Sequence, residues 1–297
     1  MKTECKFGTY NPIINFVFFI GAIVLGMLLM HPFFLLCSVL LSAIFLLSVK
    51  GRKGIKTILI LIPVFIVIAA LNPLFNTMGE TVLFTYFGRS YTLEALFYGL
   101  ETAAMVVSIL LWFSSYNVIM TSDKFLYIFA NIIPSISIIL TMVLRLVPNY
   151  RNKISQIVNA RKSIGKAGSS DDMKTELQNG ATVLSTLTSW ALEGGITTAD
   201  SMRSRGFGTG KRTTFSIYKF GMSDIVLIIL MTVLLVVVSI CGFNNGMSAS
   251  FIPTIEIATL KNKYTLLGLI AYTLFLAIPF ILNVKEDITW HFLRSKI

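Results

Sequence analysis

Histidine and cysteine are scarce in this chain, and the few present lie far apart. Two His (His31 and His291) and three Cys (Cys5, Cys37 and Cys241) in 297 residues offer neither metal-ligand spacing nor a disulfide framework. Acidic side chains are few as well, 14 against 25 Lys and Arg, and the pair Asp171-Asp172 sits in a connector. No cofactor site and no catalysis by this chain are expected from such a set. Charged residues make up only 13% of the chain, about half the share usual in soluble proteins, so a soluble domain is excluded. Internal repeats and low-complexity linkers are missing too. No small-residue cleavage site follows the first apolar run, which ends Met30-His31-Pro32-Phe33, so that run is expected to be a retained anchor and not a signal peptide. The net charge of +11 invites a nucleic-acid reading, but the basic residues flank hydrophobic segments and build no basic soluble face. No nucleic-acid partner is expected.

What is present is hydrophobic: 55% of residues, with a mean hydropathy of +0.78. Apolar runs at 12–30, 33–49, 92–113, 223–243 and 265–283 reach the length needed to cross a bilayer, about 17–25 residues. The run at 57–72 is slightly short, and Asn72-Pro73 ends it at an interface. Orientation follows from the Lys and Arg distribution. Lys50, Arg52, Lys53 and Lys56 crowd one loop, which is therefore inside; the His31-Pro32 turn is then outside, and so is the 73–91 loop with Glu80 and Arg89. Six spans with both termini inside leave only Arg89, Lys261 and Lys263 of the 25 basic residues outside.

Residues 125–147 are apolar enough to imitate a seventh span, but a crossing there would carry the basic segment that follows to the outside. Pro134 divides the stretch, and Ser122-Asp123 is a helix start. The reading is an interfacial helix over 123–133 and a long helix over 135–167 entering the cytoplasm. The expected fold class is an all-α polytopic membrane protein: N-terminal spans in 1–122, a cytoplasmic region of long crossing helices in 123–212, and C-terminal spans in 213–297.

The stretch Arg145–Arg212 organises the rest. It holds 11 Lys and Arg against five acids, with Lys124 and Lys219 just outside its ends. In its first arm Tyr150, Ile154, Ile157, Val158 and Ile164 recur near helical period. Pro148 allows a kink where the helix leaves the bilayer, and the 13 residues from there to Arg161 span about 20 Å. Gly165 and Gly168 stop the helix, and Gly168–Asp172 turns the chain and caps the next one. In the second arm Met173, Leu177, Gly180, Ala181, Leu184, Thr188, Ala191, Gly195, Ala199 and Met202 recur at spacings of three and four. Small residues at such spacing let two helices cross at short backbone distance, so Gly180, Ala181, Ala191 and Gly195 are the expected crossing points. An ordinary buried helix is the plainer reading of the same pattern.

Each arm ends in a small-residue and Arg cluster: Asn159-Ala160-Arg161-Lys162-Ser163, then Met202-Arg203-Ser204-Arg205-Gly206-Phe207-Gly208. Arg at a helix C-terminus also suits the helix dipole. The functional reading is a guanidinium handle that pairs with acidic or carbonyl acceptors on a partner. Gly206–Lys211 is no phosphate loop, because Arg205 and Arg212 occupy the Gly and Ser/Thr positions and no strand precedes it. In the membrane region, Glu94 and Glu101 lie seven residues apart and share a helical face. Glu101 is the intramembrane acid with a candidate role beyond packing.

Over residues 50–225 or so, these features resemble the transmembrane T component of energy-coupling factor (ECF) transporters, ABC-type importers of vitamins and metal ions. The resemblance is carried by Asn72-Pro73-Leu74-Phe75, by Arg145-Leu146-Val147-Pro148 and by the two Ala-Arg-Gly-like ends. The second, Ser204-Arg205-Gly206, has Ser for Ala; the first, Ala160-Arg161-Lys162, has Lys for Gly. The resemblance implies coupling helices that cross in an X and seat their Arg tips in two cytoplasmic ATP-binding subunits. It also implies a membrane-embedded S component that captures the substrate and rests on the spans and the upper face of those helices. By position, Arg161 and Arg205 become coupling residues, with Ala160, Ser204 and Gly206 allowing close approach; Lys162 and Arg203 join the candidate set as neighbours. The implied location is the cell membrane. A secondary transporter or channel is the alternative; it calls for several intramembrane charges or broken helices. A membrane-embedded lipid enzyme calls for clustered acids or a metal motif.

Overall fold

Proline opens three of the helices, at Pro12, Pro32 and Pro134, where its missing N–H leaves no bond unmade. The computed structural model describes residues 6–76, 79, 81–86, 89–130, 134–166, 173–210, 218, 220–244, 247, 249–251, 256–258 and 262–294. The expected connector and cap at Gly168–Asp172, and Lys211 and Arg212, lie outside these residues, as does the side chain of His291. The chain forms two compact units, one of Met1–Phe125 with Tyr218–Ile297, the other of Leu126–Ile217.

In the first unit, α1 is Lys6–Thr9, α2 Pro12–Leu28, α3 Pro32–Lys50, α4 Arg52–Phe75, and α5 Leu93–Ile119; α6, Ser122–Ala130, follows and contains the division between the units, after Phe125. The 73–91 segment, read from sequence as a plain loop, contains an antiparallel hairpin of β1 (Val82–Tyr86) and β2 (Arg89–Thr92). Backbone groups there pair with each other where no helix offers partners. The unit closes with α9 (Met222–Phe243), a two-residue ladder of β3 (Ala249–Ser250) and β4 (Glu256–Ile257), and α10 (Lys263–Arg294). Among the described residues, α3, α4, α5, α9 and Lys263–Lys285 of α10 are long and apolar enough to cross a membrane. The sixth expected span is α2, apolar but only 17 residues long. The chain is an all-α polytopic membrane protein with two small β ladders. Ile60, Ile66 and Phe75 on α4, and Val226 and Phe243 on α9, stay exposed, as lipid-facing or partner-facing side chains do.

The core forms around Trp112, fully buried, with the rings of Phe18, Phe45 and Phe19 at 5.4, 5.9 and 6.3 Å. Edge-to-face and tilted contacts of this kind suit aromatic quadrupoles. Trp112 Nε1 donates to Ser38 Oγ at 3.2 Å, and Ser38 and Ser108 share a hydroxyl bond of 2.6 Å. With Lys50 Nζ donating to Ser114 Oγ at 2.6 Å, contacts advance together along α3 and α5, so these helices run parallel. On the other side of α5, Gly99 lets α4 come close: a Cβ there would stand 2.9 Å from the Ala69 carbonyl oxygen. Asn72 Nδ2 fixes the same junction by donating to Thr102 Oγ1 at 2.8 Å.

The second unit contains two long helices, α7 (Pro134–Ser163) and α8 (Met173–Ser204). Residues 125–147, ambiguous in sequence, divide between α6 and α7, and α7 continues unbroken through Pro148. Among the described residues, neither α6 nor α7 has the length and apolarity of a span.

Candidate functional site: the two arm ends

The arms pack antiparallel. The Tyr150 and Trp190 rings meet edge-on at 5.7 Å, Lys153 Nζ lies 5.2 Å from the Trp190 ring centroid, and Arg161 Nη2 donates to Asn179 Oδ1 at 2.8 Å. Rising numbers on α7 meet falling numbers on α8. The half-buried side chains agree: Tyr150, Lys153, Ile157, Val158 and Arg161 on one helix, Asn179, Val183, Leu187, Trp190 and Ala191 on the other. Steps of three and four keep each set on one helical face.

This seam is not the one expected from small residues. Gly180, Ala181 and Gly195 are exposed, and a Cβ added at Gly180 or Gly195 meets nothing within 4 Å. Only Ala191 of the four expected crossing points is half-buried in the contact. The physical reason is size: the Tyr150, Lys153 and Trp190 side chains fill the gap and hold the backbones apart. The face carrying Leu177, Leu184, Leu192 and Ile196 is left exposed.

Both arms stop in the same way. At the end of α7, Lys166 N donates to Arg161 O at 2.9 Å and Gly165 N to Lys162 O at 3.0 Å, with Gly165 at φ 71°. At the end of α8, Phe207 N donates to Met202 O at 3.0 Å and Gly206 N to Arg203 O at 3.0 Å, with Gly206 at φ 77°. Each is a Schellman closure, in which glycine takes the left-handed position that other residues resist. The serines two places earlier match as well. Ser163 Oγ donates to Asn159 O at 3.1 Å, and Ser204 Oγ to Asp200 O at 2.9 Å.

This shared cap defines which residues correspond. Ser163, Ile164 and Gly165 stand where Ser204, Arg205 and Gly206 stand; Lys162 matches Arg203, and Arg161 matches Met202. Aligning the ends on their arginines, as the motifs invite, is therefore wrong by three residues. Arg161 sits one turn further inside its helix than Arg205 does. It is half-buried, and donates also to the Lys166 carbonyl at 3.3 Å. Ala160, Lys162, Arg203, Ser204, Arg205 and Gly206 are exposed.

Of the membrane acids, Glu94 accepts from Thr81 N at 3.2 Å and from Thr81 Oγ1 at 2.5 Å, tying the β hairpin to the start of α5. Glu101 is 8% exposed, and neither carboxyl oxygen has a hydrogen-bond partner among the described residues. His31, in the turn expected to lie outside, is fully buried; its Nε2 lies 3.2 Å from the Ala258 carbonyl oxygen, so that nitrogen carries the proton. Burial holds its pKa below the usual histidine value, and the Ala258 bond offsets part of that.

Sequence reasoning missed Asn179, Trp190 and the match between Ser163-Ile164-Gly165 and Ser204-Arg205-Gly206. The first two carry no motif, since only the pairing of the arms gives them partners. The third was findable as a Ser-x-Gly repeated at both helix ends. The described residues contain no group of three or more His, Cys, Asp or Glu that could hold a metal ion. Compared with protein-family models and with curated proteins, the chain matches none.

Proposed function

We propose that this chain is the membrane scaffold and coupling subunit of an ATP-driven importer, similar to the T component of an ECF transporter. In this reading it is not an enzyme. Two cytoplasmic ATP-binding subunits hydrolyse ATP, and a membrane S component supplies the vitamin or metal-ion substrate. The observation that carries the reading is the pair of like-capped helix ends at opposite ends of an antiparallel hairpin. Asn179, level with Arg161, precedes Ser204 by 25 residues on α8, a separation of about 38 Å at 1.5 Å per residue. Two tips that far apart suit two partner subunits whose approach on binding ATP would lever the arms. Location in the cell membrane with the arms and both termini in the cytoplasm rests on the Lys and Arg distribution.

Arg205→Glu tests the proposal. Reversing a charge paired across an interface costs about 2–5 kcal/mol, so co-purification of ATP-binding subunits from native membranes should fall at least tenfold and uptake should fail. Unchanged co-purification and uptake would rule the proposal out. A secondary transporter or channel remains the alternative, favoured by the Glu101 carboxyl at membrane depth, which has no partner among the described residues; uptake that persists without any ATP-binding subunit would support it.

A further inference from the structure

We infer that Arg161 is a positioning residue that pins the two arms together, and that the partner-facing cation of the first arm is Lys162. This rests on the coupling reading for what the tips meet, but not for the pin. Three observations converge on it. Arg161 Nη2 donates to Asn179 Oδ1 at 2.8 Å on the opposite arm and to the Lys166 carbonyl at 3.3 Å beyond the helix end. Guanidinium only donates, so the assignment of the Asn179 oxygen toward it is forced. Arg161 Nε is buried and has no acceptor among the described residues, which places the base of the guanidinium inside the seam and not at a tip. The backbone of Lys166 answers by donating to the Arg161 carbonyl at 2.9 Å. One side chain thus joins the last turn of α7, the residue after its cap and the second turn of α8.

The matched caps say what stands at the tip instead. Lys162 occupies the position of Arg203, exposed and three residues before the glycine; Ile164, 66% exposed, occupies that of Arg205. The two tips therefore differ in chemistry. The second presents two planar guanidinium forks, suited to carboxylates in a bidentate pair. The first presents the ammonium groups of Lys162 and, just past the cap glycine, of exposed Lys166 on either side of the apolar Ile164, suited to a groove with compact acidic groups and an apolar wall. The two partner surfaces are accordingly not interchangeable: exchanging the tips is expected to impair binding even though both are basic.

The pin is tested on the full chain in detergent by hydrogen exchange, which needs no partner. Arg161→Ala should speed exchange at least tenfold in the last turn of α7 and the first turns of α8, and Asn179→Ala should do the same, with no further gain in the double variant. Arg161→Gln separates pin from handle. It keeps an N–H donor for Asn179 but no charge, so exchange and capture of ATP-binding subunits should stay within about threefold of wild type. Lys162→Glu should leave exchange unchanged and cut capture tenfold. Normal exchange in Arg161→Ala, or capture lost equally in Arg161→Gln and Arg161→Ala, would overturn the inference. Failure of Arg205→Glu to alter capture would sink the coupling proposal while leaving the exchange result standing.

Discussion

Burial disfavours the charged form of an imidazole and of a carboxyl alike, and His31 and Glu101 are both buried. His31 donates from Nε2 to a backbone carbonyl, and its pKa is held below the usual 6.5 by burial. A depressed histidine pKa means that the fold favours the neutral ring. The stability it contributes is complete above 6.5 and is lost as pH falls toward the lower folded-state value. The thermal midpoint of the purified protein should drop between pH 7 and pH 5 more steeply in wild type than in His31→Gln; equal slopes would remove the histidine from the account. Glu101 presents two buried carboxyl oxygens without partners among the described residues, and such groups cost about 1–3 kcal/mol or more when charged. Glu101→Gln should therefore hold or raise the thermal midpoint. A fall of several degrees would mean that the carboxyl has a partner within the folded protein. Neither environment was legible in the sequence, where the histidine beside Pro32 read as part of an outward-facing turn and the acid as one of a face-sharing pair. Burial of a turn depends on distant segments such as Ala258.

At the scale of elements, every expected apolar segment coincides with a helix, because hydrophobic length is a local property, but the expected stop at Asn72-Pro73 fails: α4 runs through it to Phe75 and is long enough to cross. The split of 125–147 into α6 and α7 does follow locally, from Pro134. The seam between the arms does not follow locally. Two amphipathic helices can pair through more than one face, and the choice was made by large side chains. Trp190→Ala removes an aromatic pair worth about 0.5–1.5 kcal/mol and a cation contact of similar size. It should raise exchange or protease sensitivity along α8. Gly195→Leu fills open space and should leave both unchanged in the isolated chain; a loosened hairpin in that variant would restore the small-residue crossing. Under the coupling proposal, impaired uptake with an intact hairpin would instead place Gly195 against a partner subunit.

For the whole molecule, the expected orientation is a statement about charge and lipid, and it is checked in intact cells. A cysteine at Ser204 should react with a membrane-impermeant maleimide only after the cells are opened, while one at Ser90 should react in both cases. Labelling of position 204 from outside would place the arms beyond the reach of any cytoplasmic motor. The sequence by itself determined the membrane class, the apolar segments and the basic insert, because hydropathy, helix punctuation and charge asymmetry are written residue by residue along the chain. Which arginine points outward was decided only in three dimensions. Arg161 and Arg205 look alike in a motif, but the antiparallel arm gives Arg161 an Asn179 to hold, and a cap three residues out of register leaves Arg205 at the tip.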